Sequence, residues 1–174
     1  MYFTHTFTAP VAIYDYGKYF YTVVYVPAAI TDELPTDTYP RLRVDAEIDD
    51  VPLEGTLMPD RIGSAQTQHL VGLLGPQGQR VWYLMAPKKL LQIIDKRIGD
   101  EVEVRLRVAD QNAVTIPEAL ADYLAHNTEL NEVWSGLTPG KQRGYAHRIA
   151  SAKTRPTIER RLAQLSEDLL DRLS

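Results

Sequence analysis

The chain has 174 residues, a mass of 19.7 kDa and a formal net charge of -4. At 44% hydrophobic and 24% charged it is too apolar for a disordered segment and ordinary for a folded one. Cysteine is absent, which excludes disulfides, thiolate metal sites and cysteine nucleophiles. His5, His69, His126 and His147 are too far apart in sequence for a local metal motif, so no metal or cofactor is expected. No apolar run approaches the ~18 residues of a membrane span. The opening MYFTHTFTAP lacks a signal-peptide pattern, and a soluble cytoplasmic protein is the expectation.

The first two-thirds reads as strands. Tyr2 to Phe7 alternates aromatic residues with Thr and His. Tyr19 to Val26, aromatic and β-branched between Gly17 and Pro27, predicts a central strand. Leu42, Val44, Ala46 and Ile48 alternate with Arg43, Asp45 and Glu47, the period of a half-buried strand. Asp49-Asp50 supplies a turn before a strand from Val51 to Glu54. Leu70–Leu74 and Val81–Met85 flank Gly75-Pro-Gln-Gly78 and predict a hairpin. Pro87 opens a single inserted helix, with Leu90, Leu91, Ile94 and Ile98 at helical spacing and Gly99 as its stop. Asp100 and Glu101 read as turn residues before the clean alternation Val102, Val104, Leu106, Val108. Seven short strands and one helix predict a mainly β fold with α: a small closed or nearly closed β-barrel, whose closure removes exposed edges.

From Pro117 the period becomes helical. Pro117 opens a short helix ending near Asn127, and Thr128 caps a second that runs to Gly136. Thr138-Pro139 starts a third, with Tyr145, Ile149 and Ala152 on one face. Pro156 starts a fourth, striped by Ile158, Leu162, Leu165, Leu169 and Leu173. The boundary falls within residues 109–116, giving a barrel domain at 1–113 and a helical module at 114–174.

Charge is unevenly placed. Between Lys141 and Arg161 lie seven Lys and Arg against a single acid, Glu159. Two helices there begin with cations rather than the acids that their partial positive ends prefer. Lys141, Arg148, Lys153, Arg160 and Arg161 are therefore candidate contacts for an anion such as phosphate or carboxylate. The competing reading is a solvated face, or one docked on acids of the strand-rich part.

Residues 137–153, LTPGKQRGYAHRIASAK, followed by Thr157 and Arg160-Arg161-Leu162, resemble the C-terminal motif of the YdeI/OmpD-associated family, also called the bacteriocin-protection family. Trp134 stands where that family often has a large aromatic. Gly17-Lys18, the Arg43–Asp50 strand and turn, and Pro87 through Val104 are similar to the barrel domain of unknown function often fused to that motif. The chain departs from the pattern at Ile158, where relatives carry an arginine, and in the order Thr154-Arg155-Pro156-Thr157. The resemblance implies a fold, a candidate surface and an envelope-protection role, but no reaction.

No GxSxG, phosphate-loop or dinucleotide fingerprint is present. Ser135, Ser151 and Ser166 have no recognisable base partner. Tyr145 and Trp134 read as interhelix packing, His147 as a surface residue and Asp49-Asp50 as a turn rather than a catalytic pair. The favoured reading is a non-enzymatic binding protein for a small anionic ligand or a protein partner. One alternative is a nucleic-acid-binding regulator contacting phosphates through Lys88, Lys89, Arg105 and Arg107, against which the acidic pI of about 5.6 counts. The other is an enzyme with a pocket at the barrel–helix junction.

Overall fold

The computed structural model describes residues 2–171, and the chain divides after Asp110 into two compact units. The strand-rich unit is a mixed α/β fold of seven antiparallel strands: β1 (His5–Pro10), β2 (Ala12–Asp15), β3 (Phe20–Val26), β4 (Leu42–Ile48), β5 (Val51–Arg61), β6 (Arg80–Met85) and β7 (Glu101–Val108). Two short helices interrupt them, α1 (Ala28–Thr31) and α2 (Lys88–Ile93).

Alternation sets the core. In β4, Leu42, Val44, Ala46 and Ile48 are buried and the residues between them only half-buried. β4 pairs with β5 on one side (Val44 opposite Gly55) and β7 on the other (Ala46 opposite Leu106). Their inward residues join Leu57, Leu84, Val102 and Val104 in one cluster. Each such side chain contributes about 1.5–3 kcal/mol by leaving water. A Cβ at Gly55 would run into the Leu84 side chain, so a larger residue there forces that buried leucine to shift. The β4–β5 turn is the pair Asp49 and Asp50, both left-handed at φ 44° and 65°, as a two-residue hairpin of this twist demands.

The sheet curls into a half-barrel that is open, which corrects the expected closure. Its strand order is β1-β7-β4-β5-β6-β3-β2, so β1 and β2 stand at opposite ends with no ladder between them. The reason lies in the chain path. β1 and β2 are two arms of one segment bent at Val11, and this single-residue connection is too short for the two-residue turn that would let them pair as a hairpin. Val11 is pinned at the bend: its N–H donates to Asp100 O and its carbonyl accepts from Gly99 N, both at 2.8 Å. The ends are kept short rather than closed, with four residues in β2 and Pro10 terminating β1.

Four further expectations change. Leu70–Leu74 is not a strand: Gln68–Leu70 forms a 3₁₀ turn, and β6 pairs instead with the far end of β5, Met58 opposite Tyr83 and Arg61 opposite Arg80. The first strand begins at His5, not Tyr2. The sequence reading predicts one helix in this unit, and the structure has two. α2 ends before Asp95, whose φ is 51°, so Ile98 lies outside the helix and is half exposed.

The second unit holds α3 (Glu118–Ala125), α4 (Thr128–Ser135), α5 (Pro139–Ala150) and α6 (Arg155–Leu170). Leu120, Leu124, Leu130, Trp134, Ala146, Ile149, Leu162, Leu165 and Leu169 are buried together. Tyr145 and Ile158 pack against them, and the Trp134 and Tyr145 rings lie 6.5 Å apart. Thr128 is the first residue of α4 rather than its cap, which is Asn127. Leu173, expected to extend the α6 stripe, lies outside the described residues. Among the described residues no helix is long and apolar enough to cross a membrane.

Candidate functional site

The strand-rich unit encloses a cavity of about 600 Å³. Three parts of the chain form most of it, with Ile98 beside them. The β1–β2 bend contributes Pro10, Ala12 and Ile13. The end of β3 and the start of α1 contribute Tyr25, Val26 and Thr31. The 62–79 loop and β6 contribute Leu70, Leu73, Leu74, Val81 and Trp82. Leu73 is 77% exposed and Leu74 46%, so apolar side chains ring the opening in contact with water.

A tyrosine cluster holds the loop in place. Tyr14 donates to Asp60 Oδ2 at 2.7 Å, and Ser64 Oγ donates to the same oxygen at 3.0 Å. Thr67 is fully buried, and its hydroxyl donates to Arg61 O at 2.6 Å. Tyr14 stacks on Tyr83 with centroids 4.5 Å apart, and Tyr25 donates to Ile13 O at 3.0 Å. Burial raises all three phenols above their ordinary pKa of 10.0; for Tyr14 the bond to Asp60 adds to it. All three are neutral here, and Tyr14 and Tyr25 act as hydrogen-bond donors rather than bases. Among the lining hydroxyls Thr31 Oγ1, like Tyr25, is satisfied by the backbone, donating to Ala28 O.

At the opening stands Arg80. Its guanidinium lies 4.7 Å over the Trp82 ring and 3.6 Å from Asp37, a carboxylate whose side chain is 99% exposed.

The five cations singled out from the sequence have different surroundings. Arg161 donates to the carbonyl of Arg148 and to Ser151 Oγ (2.9 Å), closing the C-terminal end of α5. A cation unfavourable near the start of its own helix is favourable at the end of the preceding one. Arg148 reaches Asp168 at 3.5 Å and Gln164 at 3.3 Å. Lys141, Lys153 and Arg160 are exposed and make no ion pair among the described residues. Arg143 donates to the carbonyls of Gln111 (2.9 Å) and Ala113 (3.1 Å).

Of the four cations named for phosphate contacts, Arg105 is bound by Glu47 (3.2 Å), Asp50 and Glu103 (3.3 Å), and Arg107 by Asp45 (2.9 Å). Lys88 lies 5.3 Å over the Phe20 ring. His147 is exposed, and Asp49-Asp50 forms the hairpin turn.

The pocket draws on residues from Thr8 to Ile98, so sequence reasoning, which looks for local patterns, missed it. The one signal was the loop leucines, too apolar for a connection and without a partner strand.

Taken together, these features define an open half-barrel with an apolar cavity, followed in the chain by a helical unit. Residues 113–172, about a third of the chain and nearly all of that helical unit, match the family described as bacteriocin-protection, YdeI or OmpD-associated. No curated protein matches the sequence.

Proposed function

We propose that the protein is a binding protein whose strand-rich unit takes a small apolar ligand into the half-barrel pocket. The observation that carries this is the cavity of about 600 Å³ with unpaired leucines at its mouth. Small-molecule sites occupy roughly 300–1,000 Å³ and are mostly apolar. We read the strand-rich unit as the barrel domain of unknown function that it resembles. The helical unit is read as a YdeI/OmpD-associated module, a role supported by its family match.

The test is titration with the apolar fluorophore N-phenyl-1-naphthylamine, with energy transfer from Trp82 as readout. Binding is expected to saturate, and Ala12→Leu, which fills the pocket from β2, is expected to weaken it about tenfold. Non-saturating binding, or binding indifferent to Ala12→Leu, overturns the reading.

A second reading concerns Lys141, Lys153 and Arg160, which are exposed without ion-pair partners among the described residues and lie in or beside helices that have no acid in their first turns. There a phosphate or carboxylate would bind. Titration with inorganic phosphate should then saturate, and the double change Lys153→Ala and Arg160→Ala should abolish it. A change in thermal stability alone makes the surface structural.

A further inference from the structure

The composition of the half-barrel pocket also selects a charge, an inference that rests on the apolar-pocket reading above. Residues 1–110 contain 15 Asp and Glu against 11 Lys and Arg. Yet none of the twenty residues lining the pocket is acidic, and Arg80 alone carries a fixed charge. An acidic unit has kept every carboxylate out of its cavity.

We infer that the pocket binds an anionic amphiphile, an apolar body ending in a single carboxylate, with the tail among Ile13, Leu70 and Val81 and the head at Arg80. Of the lining hydroxyls, those of Tyr25 and Thr31 are already bonded to backbone carbonyls, which leaves the deeper wall few donors for a buried polar group. Recognition of a head group therefore falls to the rim. His69, Gln79 and Arg80 all line the pocket, and the side chains of His69 and Gln79 make no hydrogen bond among the described residues. Stacking on Trp82 fixes the Arg80 guanidinium. Its present partner, Asp37, is almost fully exposed and 3.6 Å away, so the pair is weak and exchangeable. A ligand carboxylate held in part out of water displaces it with shorter, charge-assisted bonds. A cationic head would have to compete with Arg80 for Asp37, and no lining residue offers another carboxylate.

Three ligands with one tail separate the claims: decanoate, decan-1-ol and decyltrimethylammonium, titrated calorimetrically below the concentrations at which they self-associate. Decanoate is expected to bind best and the ammonium worst. Arg80→Gln should bring decanoate down to the level of decanol, about a fivefold loss, and leave decanol unchanged. Leu73→Glu places a carboxylate on an exposed loop position of the rim and should weaken decanoate but not decanol. It serves as an independent check if Arg80→Gln disturbs folding. Equal binding of decanoate and decanol, indifferent to both changes, overturns the anion selection while the apolar pocket stands. Failure of all three ligands to bind overturns the pocket reading itself.

Discussion

Arg105 in β7 is surrounded by Glu47, Asp50 and Glu103, and Arg107 beside it holds Asp45. Arg161 in α6 instead directs its guanidinium at the last turn of α5. The difference follows from backbone geometry. An antiparallel register places Asp45 opposite Arg107 and Glu47 opposite Arg105, side by side on one face. A helix has no such cross-strand neighbour, but it leaves its last carbonyls unpaired, and a cation from the next helix satisfies them. A count of charges in sequence therefore overstates how many cations in the helical unit are available to a ligand.

The largest effects test whether the two compact units unfold independently. Leu106 in β7 and Leu165 in α6 are both essentially fully buried. Leu106→Ala and Leu165→Ala are each expected to cost about 2–5 kcal/mol. Each unit contains one tryptophan, Trp82 or Trp134, so single-tryptophan variants report the two denaturation curves separately. Leu106→Ala should move the Trp82 curve alone and Leu165→Ala the Trp134 curve alone. If both curves shift together, the units unfold as one.

Alkaline pH sharpens the contrast. Tyr14, Tyr25 and Tyr83 all belong to the strand-rich unit, and burial raises each phenol in the folded state. Their stabilisation is complete below the unfolded value of about 10 and is lost as pH rises from there toward the folded values. Stability read at Trp82 should fall above about pH 10, by up to ~1.4 kcal/mol per pH unit for each phenol. Tyr14→Phe should make that fall less steep.

Arg161→Gln comes next. It removes the donor to the α5 terminus and is expected to cost about 1 kcal/mol, read at Trp134. Arg105→Gln, which breaks half-exposed ion pairs, should cost less than that and lose its effect in high salt.

How much of this was legible in the sequence varied with how local the signal was. β4 and β7 announce themselves because one face of each is buried, and the alternation of Leu42–Ile48 and Val102–Val108 records it. The prolines at 117, 139 and 156 mark helix starts because their missing N–H is not needed there. The hairpin expected at Leu70–Leu74 was misread for a physical reason. Leucines beside Gly75-Pro-Gln-Gly78 imitate strand and turn chemistry, but they line a cavity. The true partner of β6 is Met58–Arg61, whose Pro59, Asp60 and Arg61 look like a loop. The five candidate cations were found as a charged stretch, but composition says nothing about which of them face carbonyls. The pocket depends on residues brought together by sheet order, and no local period encodes it.

The smallest expected effect concerns the β4–β5 turn, where the strand-rich unit asks for a backbone that its residues do not favour. Asp49 and Asp50 both adopt left-handed conformations. Asp49 is held there: its Oδ1 accepts from Glu103 N at 2.8 Å, and Lys96 lies 3.7 Å from its carboxylate. Asp50 is not held to the same degree. Its side chain is 85% exposed, and its only ion-pair partner among the described residues, Arg105, is shared with Glu47 and Glu103. Asp50→Gly relieves the left-handed strain, which outweighs both a screened ion pair and the greater freedom glycine gives the unfolded chain. A gain of about 0.5 kcal/mol is expected, visible at Trp82 and absent at Trp134. A loss instead would show that Arg105 depends on Asp50 more than on its two other acids.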